Sequence, residues 1–381
     1  MRPLGIYIHV PFCVRKCGYC DFLSMPSGKE GMDDYIFALI EEIKGYGEKY
    51  KCEGSEYEVK SVYIGGGTPS LLLPDAVGRV MDSLHETFAF ANDKGVEVTL
   101  ESNPGTVTMA SLNGYVKCGI NRLSIGLQSA NDNELKTLGR IHDSAAFFKA
   151  FDMAVDAGFE NINVDIMTAI PGQTLNSLEN TLKTVTGLGC THISAYSLIL
   201  EEGTPFYEKY SSKEGLPDED EEREMYHFTV SYLERRGYLR YEISNFSLPG
   251  YESRHNTAYW ERDDYIGFGL GASSLIKDTR YKNTAIMKEY IMSPLSRDIF
   301  SEQITLSGRD RMAEYMFLGL RMSRGVSEDG FKKEFLTGID GIYKNELDAL
   351  KRDGLILRDS GRIKLTEKGI DYGNYVFSRF L

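Results

Sequence analysis

Ile6-Tyr7-Ile8-His9-Val10 runs directly into Pro11-Phe12-Cys13-Val14-Arg15-Lys16-Cys17-Gly18-Tyr19-Cys20-Asp21-Phe22. The first five residues are an alternating apolar run and read as a strand. The loop that follows gathers three thiols at C-x3-C-x2-C spacing. A [4Fe–4S] cluster is normally held by four Cys, so a compact triad implies a cube whose fourth iron is completed by something other than protein. A zinc site would need a fourth ligand, for which His9 is the near candidate, and no distant second ligand pair of the usual structural kind is visible. A disulfide framework is disfavoured, because six Cys in 381 residues is sparse and no signal peptide precedes them. Cys52, Cys118 and Cys190 are scattered singly and read as structural thiols.

Outward from this stretch, β-type runs alternate with helical ones. The expected strands are Gly5 to Val10, Ser61 to Ile64, Val96 to Glu101, Arg122 to Leu127, Asn161 to Ile166 and His192 to Ser197. The expected helices between them are Asp33 to Tyr50, Pro74 to Phe88, Thr108 to Cys118, Asp132 to Leu138, Ser144 to Ala157 and Leu175 to Leu188. Strands joined by helical crossovers are parallel βα units, of the α/β class. Eight would close a TIM barrel; six leave an open, partial (β/α)6 TIM-type barrel.

Such barrels place their chemistry at the carboxyl ends of the strands. The cysteine loop follows the first strand, Gly65-Gly66-Gly67-Thr68-Pro69-Ser70 the second, and Glu101-Ser102-Asn103-Pro104 closes the third. Gln128-Ser129 ends the fourth, and the fifth carries Asp165 ahead of Thr168-Ala169-Ile170-Pro171-Gly172. The triple glycine matches neither nucleotide fingerprint; glycines there would let a ligand approach the backbone, or simply form a strand-to-helix turn.

Composition is that of a globular protein, 42% hydrophobic and 26% charged, without an apolar run long enough to span a membrane. A net charge of −13 argues against a nucleic-acid partner.

The cysteine spacing and glycine run resemble the radical S-adenosylmethionine (SAM) superfamily. In that family SAM chelates the open iron through its amino and carboxylate groups, and an electron from the cluster cleaves it to a 5′-deoxyadenosyl radical. The resemblance implies the partial barrel, and it places Gly66, Gly67 and Thr68 near the methionine end of SAM. Glu101 would then accept a hydrogen bond from the amino group, while Gln128, Arg140 and Asp165 hold the carboxylate and ribose hydroxyls. Tyr7 and Ile199 complete this cofactor-binding set, although either could be plain core, and Arg140 could be a solvated surface charge.

Within the superfamily the chain is similar to the oxygen-independent coproporphyrinogen III oxidase group. The match runs through Ile8-His9-Val10-Pro11-Phe12-Cys13, Tyr19-Cys20-Asp21-Phe22, Ser124-Ile125-Gly126-Leu127-Gln128-Ser129, Asp165-Ile166-Met167 and Tyr241-Glu242-Ile243-Ser244-Asn245-Phe246. Oxidases of the group carry a fourth cysteine where this chain has Phe22, and a longer segment ahead of the 12 residues that precede Cys13 here. His255-Asn256-Thr257-Ala258-Tyr259-Trp260 matches the H-N-x-x-Y-W motif associated with haem in the group's haem-chaperone branch. The resemblance therefore implies a cytoplasmic haem chaperone, not an integral membrane protein, with a [4Fe–4S] cluster, SAM and haem as cofactors and haem-receiving respiratory proteins as partners. It leaves dimerisation and SAM cleavage open, with radical decarboxylation of coproporphyrinogen III as the alternative activity and a radical enzyme acting on another substrate as a third.

His255 could ligate haem iron with Tyr259 and Trp260 stacked on the ring. Alternatively the His-Asn pair caps a turn and Trp260 fills core; Cys or Tyr ligation also stays open.

The pattern then divides the chain into residues 1–292, the barrel with its haem-motif extension, a linker from Ser293 to Ser307, and a unit over 308–381. In the last, Asp310 to Ser323, Ser327 to Phe335 and Ile342 to Asp353 read as helices, and Leu355 to Arg358 with Arg362 to Leu365 as a hairpin, together a winged-helix-like domain. Between Phe331 and Gly373 nine basic side chains meet eight acidic ones, a poor footprint for phosphate. This domain is therefore expected to pack on the barrel or meet a protein. Asp218 to Glu224 reads as an exposed helix start.

Overall fold

The computed structural model describes residues 1–26, 31–50, 56–91, 95–294 and 300–381, so Cys52 lies outside the described residues. Six strands carry the expected order: β1 (Arg2–Val10), β2 (Tyr57–Gly66), β3 (Glu97–Ser102), β4 (Arg122–Gln128), β5 (Asn161–Thr168) and β6 (His192–Ser197). Each pairs in parallel with the next. Both faces are covered, which is why β1 and β4 are buried nearly throughout instead of alternating with solvent.

The crossovers are α1 (Met32–Tyr50), α2 (Pro74–Thr87), α3 (Met109–Lys117), the pair α4 (Asp132–Leu138) and α5 (Ser144–Asp156), and α6 (Leu175–Gly187). Their starts are written locally. Pro74 opens α2 at its first turn, and Thr108 and Thr174 form capping boxes with Ser111 and Ser177. Gly139, at φ 74, ends α4 in the left-handed region and swings the following Arg140 back toward the strand ends.

The sheet goes further than six strands. After the short α7 (Pro205–Tyr210) and α8 (Glu219–Arg235) come β7 (Leu239–Arg240) and β8 (Asn245–Ser247), with β8 antiparallel to β6. Helix α8 starts where the acidic run predicted, with Asp218 and Glu221 in a capping box. Helix α9 (Arg254–Trp260) leads to β9 (Asp264–Phe268), which pairs in parallel with β1 on the side away from β2. Then β10 (Ser273–Ile276), β11 (Thr279–Asn283) and, after α10 (Met287–Met292), β12 (Phe300–Thr305) extend that side. The result is a twelve-stranded sheet in the order β12-β11-β10-β9-β1-β2-β3-β4-β5-β6-β8-β7, with two free ends and seven parallel strands in its middle.

The segment read as a linker is therefore partly sheet. Residues 295–299 lie outside the described residues, but Phe300–Thr305 pairs with β11. Its alternation was masked by mixed polar residues on an exposed edge.

The winged-helix-like expectation holds in detail. Helices α11 (Gly308–Gly319), α12 (Glu328–Phe335) and α13 (Asp340–Arg352) enclose Met316, Phe331, Leu347 and Leu350, with β14 (Ile356–Asp359) and β15 (Arg362–Leu365) as the wing. Ser360 and Gly361, both at positive φ, make the two-residue turn. A strand before them, β13 (Val326–Ser327), pairs with β15, and α14 (Glu367–Asp371) and α15 (Gly373–Ser378) close the chain. The domain packs on the barrel. Arg262, whose side chain is 6% exposed, bonds Glu314 and Glu334 across the junction, and Ser323 donates to the carbonyls of Tyr241 and Arg240.

Candidate cofactor site at the strand ends

The carboxyl ends of β2 to β6 and the cysteine loop enclose one cavity of about 380 Å³. Cys13, Cys17 and Cys20 share its wall, with Cys13 buried and the other two partly exposed. The loop is anchored on both sides: Phe12–Cys13 pairs with Met25–Pro26, and the amides of Gly67 and Thr68 donate to the carbonyls of Val10 and Phe12 at 2.8 and 2.7 Å.

This contact explains the triple glycine. A Cβ on Gly66, at φ 114, would lie 2.6 Å from the His9 ring, and one on Gly67 would lie 2.6 Å from the Phe12 carbonyl oxygen. The missing side chains thus let the cysteine loop sit against β2, and both glycines still line the cavity. His9 does not. It is buried, and its two ring nitrogens bond Tyr7 Oη at 3.0 Å and the Leu23 carbonyl at 2.8 Å.

Of the predicted cofactor-binding residues, Gly66, Gly67, Thr68, Glu101, Gln128, Arg140, Asp165 and Ile199 line the cavity, as does Phe22. Ile199 is 66% exposed there, so it is not core. Arg140 is not a solvated surface charge. Its guanidinium donates to Asn103 Oδ1, to the Gly126 carbonyl at 3.0 Å and to Cys17 Sγ at 3.7 Å, while its Nε is buried without a partner among the described residues. Thr68 Oγ1 lies 3.7 Å from Cys13 Sγ and accepts from Asn103 Nδ2 at 2.9 Å. Asn103 thereby ties the glycine turn to Arg140. It lies two residues beyond Glu101, and nothing in the sequence alone assigns it that role.

Glu101 accepts from Tyr63 Oη at 2.7 Å and from the Gly66 amide at 3.1 Å. Burial, with Asp165 nearby, pushes its carboxyl up to about 7. Asp165 accepts from Ser124 Oγ and Asn163 Nδ2 at 3.1 and 2.7 Å, and burial raises it too. Gln128 holds a positive φ of 72 at a break in the β4 register, a strained backbone that turns it at the cavity mouth.

Tyr7 and His255 lie elsewhere. Both belong to the barrel interior behind Glu101, where His255 stacks on Tyr63 with ring centroids 5.1 Å apart and Tyr7 lies 6.5 Å from His255. His255 is 2% exposed, and its Nδ1 and Nε2 bond Ser61 Oγ at 2.9 Å and Tyr259 Oη at 3.0 Å. Burial first, and Arg122 second, push its pKa down to about 3, so the ring is neutral. The helix start is capped by Ser253, not by the His-Asn pair. Trp260 is partly buried and carries Arg321 over its ring at 4.4 Å. Arg122, fully buried beside this layer, was missed; a strand-initial arginine carries no sequence signal for it.

Comparison with known proteins agrees with this geometry. A family profile described as the Radical SAM superfamily matches residues 7–185, and one described as the HemN C-terminal domain matches residues 306–372. The chain is 35% identical to the Heme chaperone HemW of Lactococcus lactis, covering 100% of this chain and 98% of that one. It is 36% identical to the Heme chaperone HemW of Bacillus subtilis over 98% of each. The solved structure of coproporphyrinogen III oxidase (HemN) from Escherichia coli superposes with a TM-score of 0.85, covering 100% of this chain and 90% of that one at 23% identity. No described helix is long and apolar enough to cross a membrane. By fold, and by similarity along its whole length, the chain belongs to the HemW family of the radical SAM superfamily.

Proposed function

We propose that this chain is a cytoplasmic haem chaperone that builds a [4Fe–4S] cluster on Cys13, Cys17 and Cys20, binds SAM beside it and passes haem to respiratory proteins. The observation that carries this reading is the sharing of one cavity by three thiols and the polar ends of five strands, in a chain aligned end to end with relatives named Heme chaperone HemW. The donor set fits the cluster. The thiols share a wall without converging as a single-ion site among the described residues, and Thr68 and Arg140 stand ready to donate to two of the sulfurs.

When bound, the cluster supplies the electron for cleaving the sulfur–carbon bond of SAM. The chain's own part is recognition. Glu101 offers a carboxylate to the SAM ammonium, whose charge favours the ionised form. Asp165 and Gln128 suit the ribose hydroxyls, and Arg140 suits the carboxylate.

Haem sits outside the barrel interior in this reading. Iron ligation through either nitrogen of His255 would displace the partner that nitrogen now holds, Ser61 or Tyr259, and would need iron to reach a ring that is 2% exposed.

Anaerobic reconstitution tests the cluster: changing any one of Cys13, Cys17 or Cys20 to Ala should abolish its broad absorption, and full iron and sulfide retention would contradict the assignment. Haem titration of the reconstituted protein tests carriage. His255→Ala should keep haem affinity within about threefold, a difference under about 1 kcal/mol. Incubation with SAM, reductant and coproporphyrinogen III should give no decarboxylated product; its formation would replace the chaperone reading with the oxidase.

A further inference from the structure

Helix α9 shows two unlike sides. His255 and Tyr259 bond one another in the barrel interior, whereas Trp260, one residue on, lines a second cavity of about 290 Å³ where the barrel meets the winged-helix-like domain. Tyr315 and Met322 add apolar wall to it. Arg262, Arg324 and Arg362 bring three guanidiniums, against Glu261 as the one carboxylate in the lining.

The three cations are not equivalent. Arg262 is saturated by Asp278, Glu314 and Glu334, and Arg324 pairs with Glu261. Arg362 has no carboxylate partner among the described residues. Its Nη1 donates only to the carbonyls of Arg324 and Gly325, at 3.3 and 3.2 Å. Its charge lies close enough to Arg324 to help lower that residue's pKa, after burial. The Trp260 Nε1 donor, in the same lining, is buried without an acceptor among the described residues. A surplus cation and an orphaned N–H beside aromatic and thioether surface call for an acceptor-rich anion attached to an apolar body.

We propose that this junction cavity is a carboxylate-docking subsite for haem, in which Arg362 and Trp260 Nε1 receive a propionate and Tyr315 and Met322 cover the adjoining edge of the macrocycle. The proposal rests on the haem-chaperone reading above. The cavity admits one edge of the ring and not the whole of it, leaving the metal free for transfer to a recipient. Arg321 already covers a face of Trp260, so the indole acts through its edge.

The test compares haem with its dimethyl ester, which keeps the ring and iron but has no carboxylate charge. The full-length chain should bind haem at least tenfold more tightly than the ester in a Soret titration. Arg362→Gln should cut that preference below threefold without changing cluster content. Trp260→Phe, which keeps an aromatic side chain but removes the N–H donor together with the pyrrole half of the indole, should reduce it in the same direction and provides a second route should the arginine variant misfold. Equal binding of haem and ester by the wild type, or full preference retained in both variants, would overturn the subsite. Binding of neither porphyrin would instead remove haem carriage itself, and the subsite with it.

Discussion

Glu42 is a buried carboxyl and Glu101 a half-buried one, and desolvation pushes both up to about 7. Their surroundings differ. Glu42, 1% exposed on α1, accepts from the Gly269 amide at 2.9 Å, Asn283 Nδ2 at 2.7 Å and Tyr290 Oη at 2.6 Å, joining the helix to the strands after β9. Glu101 accepts from two donors among the described residues and opens onto the cavity. The first is joinery, saturated by its own chain. The second keeps acceptor capacity for something that arrives. A raised carboxyl therefore does not by itself mark a binding site; the unfilled part of its hydrogen-bonding shell does.

The largest expected effect breaks the comparison on the structural side. Glu42→Ala leaves three buried donors unpaired and should cost at least about 3 kcal/mol in urea unfolding. Glu101→Ala should cost no more than about 1 kcal/mol, because water in the cavity can replace the lost acceptor. Equal losses would erase the distinction.

Next in size is a pH effect. The folded state holds the Glu42 proton up to about pH 7, whereas a free glutamate releases it near 4.5. Between those values the folded state binds more protons than the unfolded one, so stability falls as pH rises, by about 3 kcal/mol for this group. Glu42→Gln should flatten that part of the stability profile, and an unchanged slope would count against it. The smallest effect sharpens the functional side. Asn103→Ala unties Thr68 from Arg140 and should weaken SAM binding about three- to tenfold, roughly 1 kcal/mol, in equilibrium dialysis, with thermal unfolding nearly unchanged.

Much of this was legible from residue order because the βα alternation is strict and the polar residues fall at strand ends. Glu101, Asp165 and the glycine turn could be placed by that rule alone. Asn103 could not, since its partners Thr68 and Arg140 lie 35 and 37 residues away. Glu42 looks like the twin of Glu41 on a charged helix, and only the return of the chain at Gly269 makes it internal. His255 was hidden in the same way: its partner Ser61 lies 194 residues earlier. Strand β9 escaped because five residues with a glycine between turns give a weak periodic signal.

That ninth strand has a consequence for how the protein is made. The strand that carries the cysteine loop acquires its second neighbour only when Asp264–Phe268 has emerged from the ribosome. Until then its edge is unpaired and its thiols hang on half a scaffold, an aggregation-prone intermediate of the kind that long-range strand pairing imposes. On the proposed reading, cluster assembly on those thiols would thereby wait for a strand made long after the cysteine loop, which ties synthesis of the far side of the sheet to maturation of a site built by the first few residues.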